Sequence, residues 1–187
     1  MTRADAELIG AQRLLQDAIA GAAMPTDTAE RITAQLREVA AKVARFAVPE
    51  SARRDGRQPA LPGRGMPFMP PYLIDEEGPD FTKGRVRFTR FYLGGHGAAH
   101  GGAHAVLFDD IMGRLATRVG GEGRTRTARL TINYRRIIPT DTDIAFEAWV
   151  DRTEGRKRFV SARLYDDTGA VGADCEGLFV VLRPGRT

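Results

Sequence analysis

The feature that most limits the fold of this chain is one apolar segment, residues 102–119, set between a glycine and histidine cluster and a run of strand-like segments. In GGHGAAHGGAHAVLFDDIMGRLATRVGG (94–121), Phe108, Met112, Leu115 and Val119 recur at helical spacing and make one broad apolar face. Ala105, Asp109, Gly113 and Ala116 form a second row of small side chains beside it, and Gly120-Gly121 ends the helix. Ahead of the cluster, KGRVRFTRFYL (83–93) alternates as a strand does. Behind the helix, residues 124–138, 142–153, 157–167 and 170–182 are rich in β-formers, with Glu-Gly and Thr-Gly turns joining the last three as a meander. One helix must bury its apolar faces on such strands, so the expected class is α+β with an antiparallel sheet.

The first third of the chain has another texture. Leu8, Leu14, Leu15 and Ile19 fit a helix over 4–20 that stops near Gly21. Asp27, with Glu30 three residues on, is placed to cap a second helix, along which Ile32, Leu36, Val39, Val43 and Phe46 make an apolar stripe that needs a partner surface. VPESARRDGRQPALPGRGMPFMPP (48–71) is too rich in Pro, Gly and Arg for regular structure. The expected organisation is a helical extension over 1–47, a linker or wrapped arm over 48–79, and the main domain over 80–187.

Composition removes several classes of function. The 187 residues carry a net charge of +4, with the arginines spread over the chain and no Lys/Arg run of five or more, so no nucleic-acid partner is expected. The lone Cys175 can form no internal disulfide and reads as a small strand residue in a reducing compartment. The opening MTRADAELIG has no apolar core of a signal peptide, and no apolar run approaches the ~18 residues of a membrane span, so a cytoplasmic protein is expected.

All three histidines, His96, His100 and His104, lie in the cluster. On a helix they would share a face and could ligate zinc, but the surrounding glycines oppose that helix, and no metal is expected. The string also lacks the endings of a phosphate loop and of the dinucleotide fingerprint. A third reading uses position: glycines at the start of a buried helix let a ligand reach backbone N–H groups that have no helical partner, where an oxyanion can be held. Asp109, the polar group on the small-residue row, is expected in a tight, partly dry contact. Asp110 is expected on the surface, paired with Arg114.

His100-Gly101-Gly102 with Asp109 nine positions after the histidine resembles the HGG(x)6D signature of hotdog-fold acyl-CoA thioesterases, specifically the phenylacetate-pathway type. Residues 80–182 are similar to that family, including the segment TARLTINYRRIIP and the terminal GADCEGLFVVL. The resemblance implies a five- or six-stranded antiparallel sheet wrapped around a long central helix. It implies a homodimer or dimer of dimers with active sites between protomers, and an acyl-CoA substrate without a further cofactor. By the same resemblance Asp109 is general base or nucleophile, the backbone N–H near Gly102 polarises the thioester carbonyl, His100 shapes the turn and Thr127 assists the water. Gly101, Tyr134 and the segment Gly155, Arg156, Lys157, Arg158 and Phe159 are implied to bind substrate, the cations facing the phosphates of coenzyme A. Some relatives carry an asparagine where this chain has Gly94, with His96 nearby. A non-catalytic acyl-CoA-binding or scaffolding hotdog protein is the alternative reading, and Phe81, Phe88, Phe91, Met112 and Trp149 are candidates for an acyl tunnel or for ordinary core.

Overall fold

The computed structural model describes residues 3–53, 56–120 and 123–183. Two helices come first, α1 (Arg3–Ala20) and α2 (Thr26–Ala44). Strands β1 (Tyr72–Glu77) and β2 (Phe81–Arg87) follow, then a short hairpin of β3 (Leu93–Gly95) and β4 (Ala98–Ala99). The long helix α3 (Gly101–Val119) leads into β5 (Thr125–Tyr134), β6 (Asp143–Glu154), β7 (Lys157–Tyr165) and β8 (Val171–Val181).

Six strands form one antiparallel sheet in the order β1-β2-β6-β7-β8-β5. Alternation along its central strands aims Ile144, Phe146 and Ala148 of β6 and Val160, Ala162 and Leu164 of β7 at one side, all of them buried. Against them α3 lays Leu107, Phe108, Ile111, Met112 and Leu115, also buried, so the core is the layer between the helix and the concave sheet. Phe88 and Met112 belong to this core, whereas Phe91 is exposed. Cys175 lies in the same layer on β8, where burial pushes its thiol up to about 12.

The arm holds more structure than its composition suggests. β1 lies inside the stretch expected to be a linker, because its acidic residues face solvent at the sheet edge and hide the apolar alternation of Tyr72 and Ile74. Arg13 of α1 ties the rest of the arm down, donating to the carbonyls of Met69 at 2.9 Å, Met66 at 2.7 Å and Pro62 at 3.2 Å. Asp17 accepts the N–H of Phe91 at 2.8 Å, which joins α1 to the main domain. α1 thus docks through polar contacts and buries none of its residues, and neither does α2. Val39, Val43 and Phe46 of the expected stripe are exposed. Nor does Asp27 cap α2: the helix begins at Thr26, with Pro25 at the cap position and no side-chain cap bond. The alternation read over 83–93 stops at Arg87, where the chain turns through a single helical turn, Arg90–Tyr92, into β3.

Asp110 departs furthest from its expected surface position. Its carboxylate is largely buried, bonded to Arg64 of the arm and accepting the Tyr72 hydroxyl at 2.5 Å. Arg114 reaches the same hydroxyl at 3.1 Å instead of pairing with Asp110. Burial, then the Asp110 charge, pushes the Tyr72 phenol up to about 12, so it stays a neutral donor. No described helix is long and apolar enough to cross a membrane. Tyr72→Phe strips one partner from a buried carboxylate, and we expect a loss of about 1–3 kcal/mol in urea unfolding. A change within a few tenths of a kcal/mol would show that this latch contributes little.

Candidate functional site

The start of α3 is built by its glycines. His96 and Gly97 both adopt left-handed backbone conformations, φ 50° and 76°, and turn the chain from β3 into β4. His96 is exposed at this turn. The chain then passes so close to itself that a Cβ on Gly94 would lie 3.0 Å from the Cα of His100. His100 caps α3, its Nδ1 accepting the N–H of Gly102 at 2.9 Å. The amide expected to meet a thioester carbonyl is therefore already engaged, and the Gly101 N–H one position earlier, at N1, is the open one. Tyr134, at the end of β5, donates to the Gly101 carbonyl at 2.9 Å, and its ring crowds that position, since a Cβ there would lie 3.2 Å away and the ring would have to shift.

His104 follows one turn into the helix. The residue is 3% exposed, its ring tilted against those of Phe88 and Tyr134 at centroid distances of 5.0 Å and 5.7 Å. Neither ring nitrogen has a hydrogen-bond partner. Burial, and then the charge of His100, pushes its pKa down to about 4. The helix starts at Gly101, so only His104 of the three histidines lies within it. No group of three potential metal ligands occurs among the described residues.

About a turn and a half further along α3, Asp109 points toward β5. The Thr127 hydroxyl donates to its Oδ1 at 2.6 Å. Asp109 is exposed within one chain, not enclosed as expected from the small residues around it. The two side chains open on a groove of about 620 Å³, also walled by Gly113, Arg126, Phe179 and, from the arm, Arg64. The predicted residues thus fall into separate groups: Gly101, Gly102, His100 and Tyr134 at one end of α3, and Asp109 with Thr127 at its middle.

Gly155, Arg156, Lys157, Arg158 and Phe159 make a third group on the β6–β7 turn and do not wall that groove. Arg156 donates to the Val181 carbonyl at 3.1 Å, and Arg158 to those of Gly155 at 2.6 Å and Lys157 at 3.1 Å, so both guanidinium groups brace the turn. Phe159 carries the Arg152 guanidinium 3.6 Å above its ring. Sequence reasoning did not anticipate the partnerless burial of His104 or the Arg64–Asp110–Tyr72 latch. The one-turn spacing of His100 and His104 was a readable signal, whereas the latch joins residues far apart in the chain.

A long helix wrapped by this antiparallel sheet is the hotdog architecture, and the site stands at that helix's start and middle. The model of the thioesterase superfamily matches residues 96–173 of this chain. Bovine (Bos taurus) acyl-coenzyme A thioesterase THEM4 is 33% identical over 92 residues, covering 49% of this chain and 37% of that protein. The rat (Rattus norvegicus) THEM4 is 30% identical over 113 residues, covering 57% and 48%. The matched part is less than half the length of either relative. The crystal structure of RHA08564, a thioesterase superfamily protein, superposes with a TM-score of 0.79 at 24% identity, covering 94% of this chain and 90% of that one, so the N-terminal extension lies within the shared fold. A hypothetical thioesterase from Streptococcus pneumoniae TIGR4, solved with coenzyme A, gives a TM-score of 0.55 at 18% identity over 59% of this chain and 85% of its own.

The buried imidazole makes folding depend on acidity. Its folded pKa of about 4 lies below the ordinary 6.5, so the unfolded chain takes up the extra proton. Stability from neutral His104 is complete above pH 6.5 and is lost as pH falls toward 4, by about 3 kcal/mol at most. The expected result is a shallower decline of the urea midpoint over this range in His104→Leu than in the parent; equal slopes would contradict the assignment.

Proposed function

We propose that the protein hydrolyses acyl-CoA thioesters, with Asp109 as general base or nucleophile. The observation that carries this reading is the Thr127 to Asp109 bond of 2.6 Å at the edge of the groove. A hydroxyl donating to Oδ1 fixes the carboxylate plane and leaves Oδ2 free, either to take a proton from water or to attack the carbonyl carbon directly. The developing negative charge on the thioester oxygen falls to the open Gly101 N–H at the positive end of α3.

Helix geometry sets the assembly. Gly101 and Asp109 are eight residues apart on one helix, a rise of about 12 Å, whereas attack needs the reacting atoms within about 3–3.5 Å. One chain cannot apply both groups to one carbonyl. We therefore place the reaction between two copies, the Gly101 N–H of one copy facing the partner subunit's Asp109. That arrangement also encloses Asp109, which is exposed in a single chain. β5 is an edge strand of ten residues whose outer backbone groups lack a strand neighbour among the described residues, and pairing it with its symmetry mate would give the homodimer. On the β6–β7 turn, exposed Lys157 and the unused donors of Arg156 and Arg158 suit the coenzyme's phosphates.

Thiol release from a panel of short, long and aromatic acyl-CoAs tests the reading. Asp109→Asn keeps the shape and removes the charge, and kcat is expected to fall at least ~100-fold. Thr127→Val should cost about tenfold, as loss of one hydrogen bond to a charged group. Parental turnover in Asp109→Asn would refute the assignment.

A further inference from the structure

α2 carries an apolar stripe that its own chain leaves unburied. None of its 19 residues is buried and no side chain caps its start, and a helix of that length without tertiary packing is marginal in water, so the stripe calls for a cover. α1 does not supply it, since that helix buries none of its own residues and leaves Leu14 71% exposed. Along α2, Ala29, Ile32, Leu36, Val39, Val43 and Phe46 follow one another at spacings of three and four without a break. This is the a/d pattern of a coiled coil, which one helix cannot satisfy alone. Phe46 comes just past the last helical residue, where its N–H still bonds to the Val43 carbonyl at 3.0 Å, and it is 81% exposed.

We infer that α2 docks on α2 of a second copy of this chain, the two helices antiparallel about a two-fold axis that passes between residues 37 and 38. Reversed about that point, the stripe matches itself layer by layer: Ala29 meets the partner subunit's Phe46, Ile32 the partner subunit's Val43, and Leu36 the partner subunit's Val39. Bulk is then shared evenly along the seam. A parallel pair would stack Phe46 on the partner subunit's Phe46 at one end and Ala29 on the partner subunit's Ala29 at the other, one layer overfilled and one empty. Small meets large only when the helices run in opposite directions.

Charge points the same way. The first half of α2 carries Asp27 and Glu30 against Arg31, and the second half with its cap carries Arg37, Lys42 and Arg45 against Glu38, so antiparallel pairing sets a net-negative end on a net-positive one. The two helix dipoles are opposed as well. Beside the seam, Gln35 comes next to the partner subunit's Lys42 and Thr33 next to the partner subunit's Ala40, so no like charges meet across it. Both copies offer the same surface, and the contact buries both stripes at once. It involves neither Asp109 nor the groove, and it does not rest on the hydrolase reading.

The variant Thr26→Cys/Ala47→Cys tests the register in the full chain. The two positions lie about 30 Å apart along one helix but adjoin across the antiparallel pair, and the native Cys175 is buried. A bismaleimide with a spacer far shorter than the helix is expected to join the doubly substituted chains into covalent pairs. Either single variant should stay unlinked, because antiparallel pairing holds like positions about 30 Å apart. No linking of the double variant, or equal linking of a single one, would overturn the inference. Hydrogen exchange tests the cover itself: α2 amides of the parent should exchange at least ~10-fold more slowly than those of Val39→Glu/Val43→Glu. The α3 amides should be unchanged, since both valines are more than half exposed and the core does not use them. Equal exchange in the two proteins would also overturn the inference, as would protection gained only on adding anionic phospholipid vesicles, which would assign the stripe to a membrane.

Discussion

Everything at this site follows from the rotation at which α3 seats on the sheet. Leu107, Phe108, Ile111, Met112 and Leu115 are buried against the central strands, and helix geometry then leaves no choice about the remaining faces. Asp109 is carried toward β5, within reach of Thr127. Asp110, one hundred degrees further round, is carried toward the arm and β1, where Arg64 and Tyr72 receive it. Two adjacent carboxylates thus acquire different surroundings from one packing event. The first keeps a free oxygen at a groove, and the second is consumed in holding the N-terminal region to the domain.

The same constraint separates the polarising amide from the carboxylate along the helix axis. A straight helix cannot bring Gly101 and Asp109 together, so a hydrolytic reading requires a second chain. The exposed Asp109, the row of small residues beside it and the open edge of β5 are the features that the proposed dimer would cover. Isolated, the chain holds two half-sites at different levels of α3. Paired about a two-fold axis, it would hold two whole ones.

Much of this architecture was legible in the sequence because it is periodic. The apolar spacing in 102–119 and the alternation in the later segments identified the helix and four of the strands, and the glycines marked the start of α3. β1 was not legible: its acidic residues at the sheet edge resemble a solvated arm, and its one deeply buried side chain, Tyr72, is placed by a latch to Asp110, 38 residues away. The Asp27 cap failed because α2 begins one residue earlier, at Thr26, which puts Asp27 inside the first turn. At the candidate site, Asp109 and Thr127 were named from the sequence and lie in contact, but which glycine amide is open depends on the rotamer of His100, whose side chain takes the Gly102 N–H for itself. Residue type does not encode that choice. The stripe of α2 was read as apolar, yet none of its residues is buried and Val39, Val43 and Phe46 are exposed, a fact only the tertiary arrangement reveals.

The most direct measurement is subunit complementation. Asp109→Asn retains an intact Gly101, and Gly101→Val, whose bulk collides with Tyr134, retains an intact Asp109. Each folded homodimer is expected to be inactive. Mixed from the unfolded state in equal amounts and refolded, the two should recover about a quarter of the parental activity, since half the dimers are mixed and one of their two sites is whole. No recovery from mixed dimers whose formation is verified would contradict a site shared between chains.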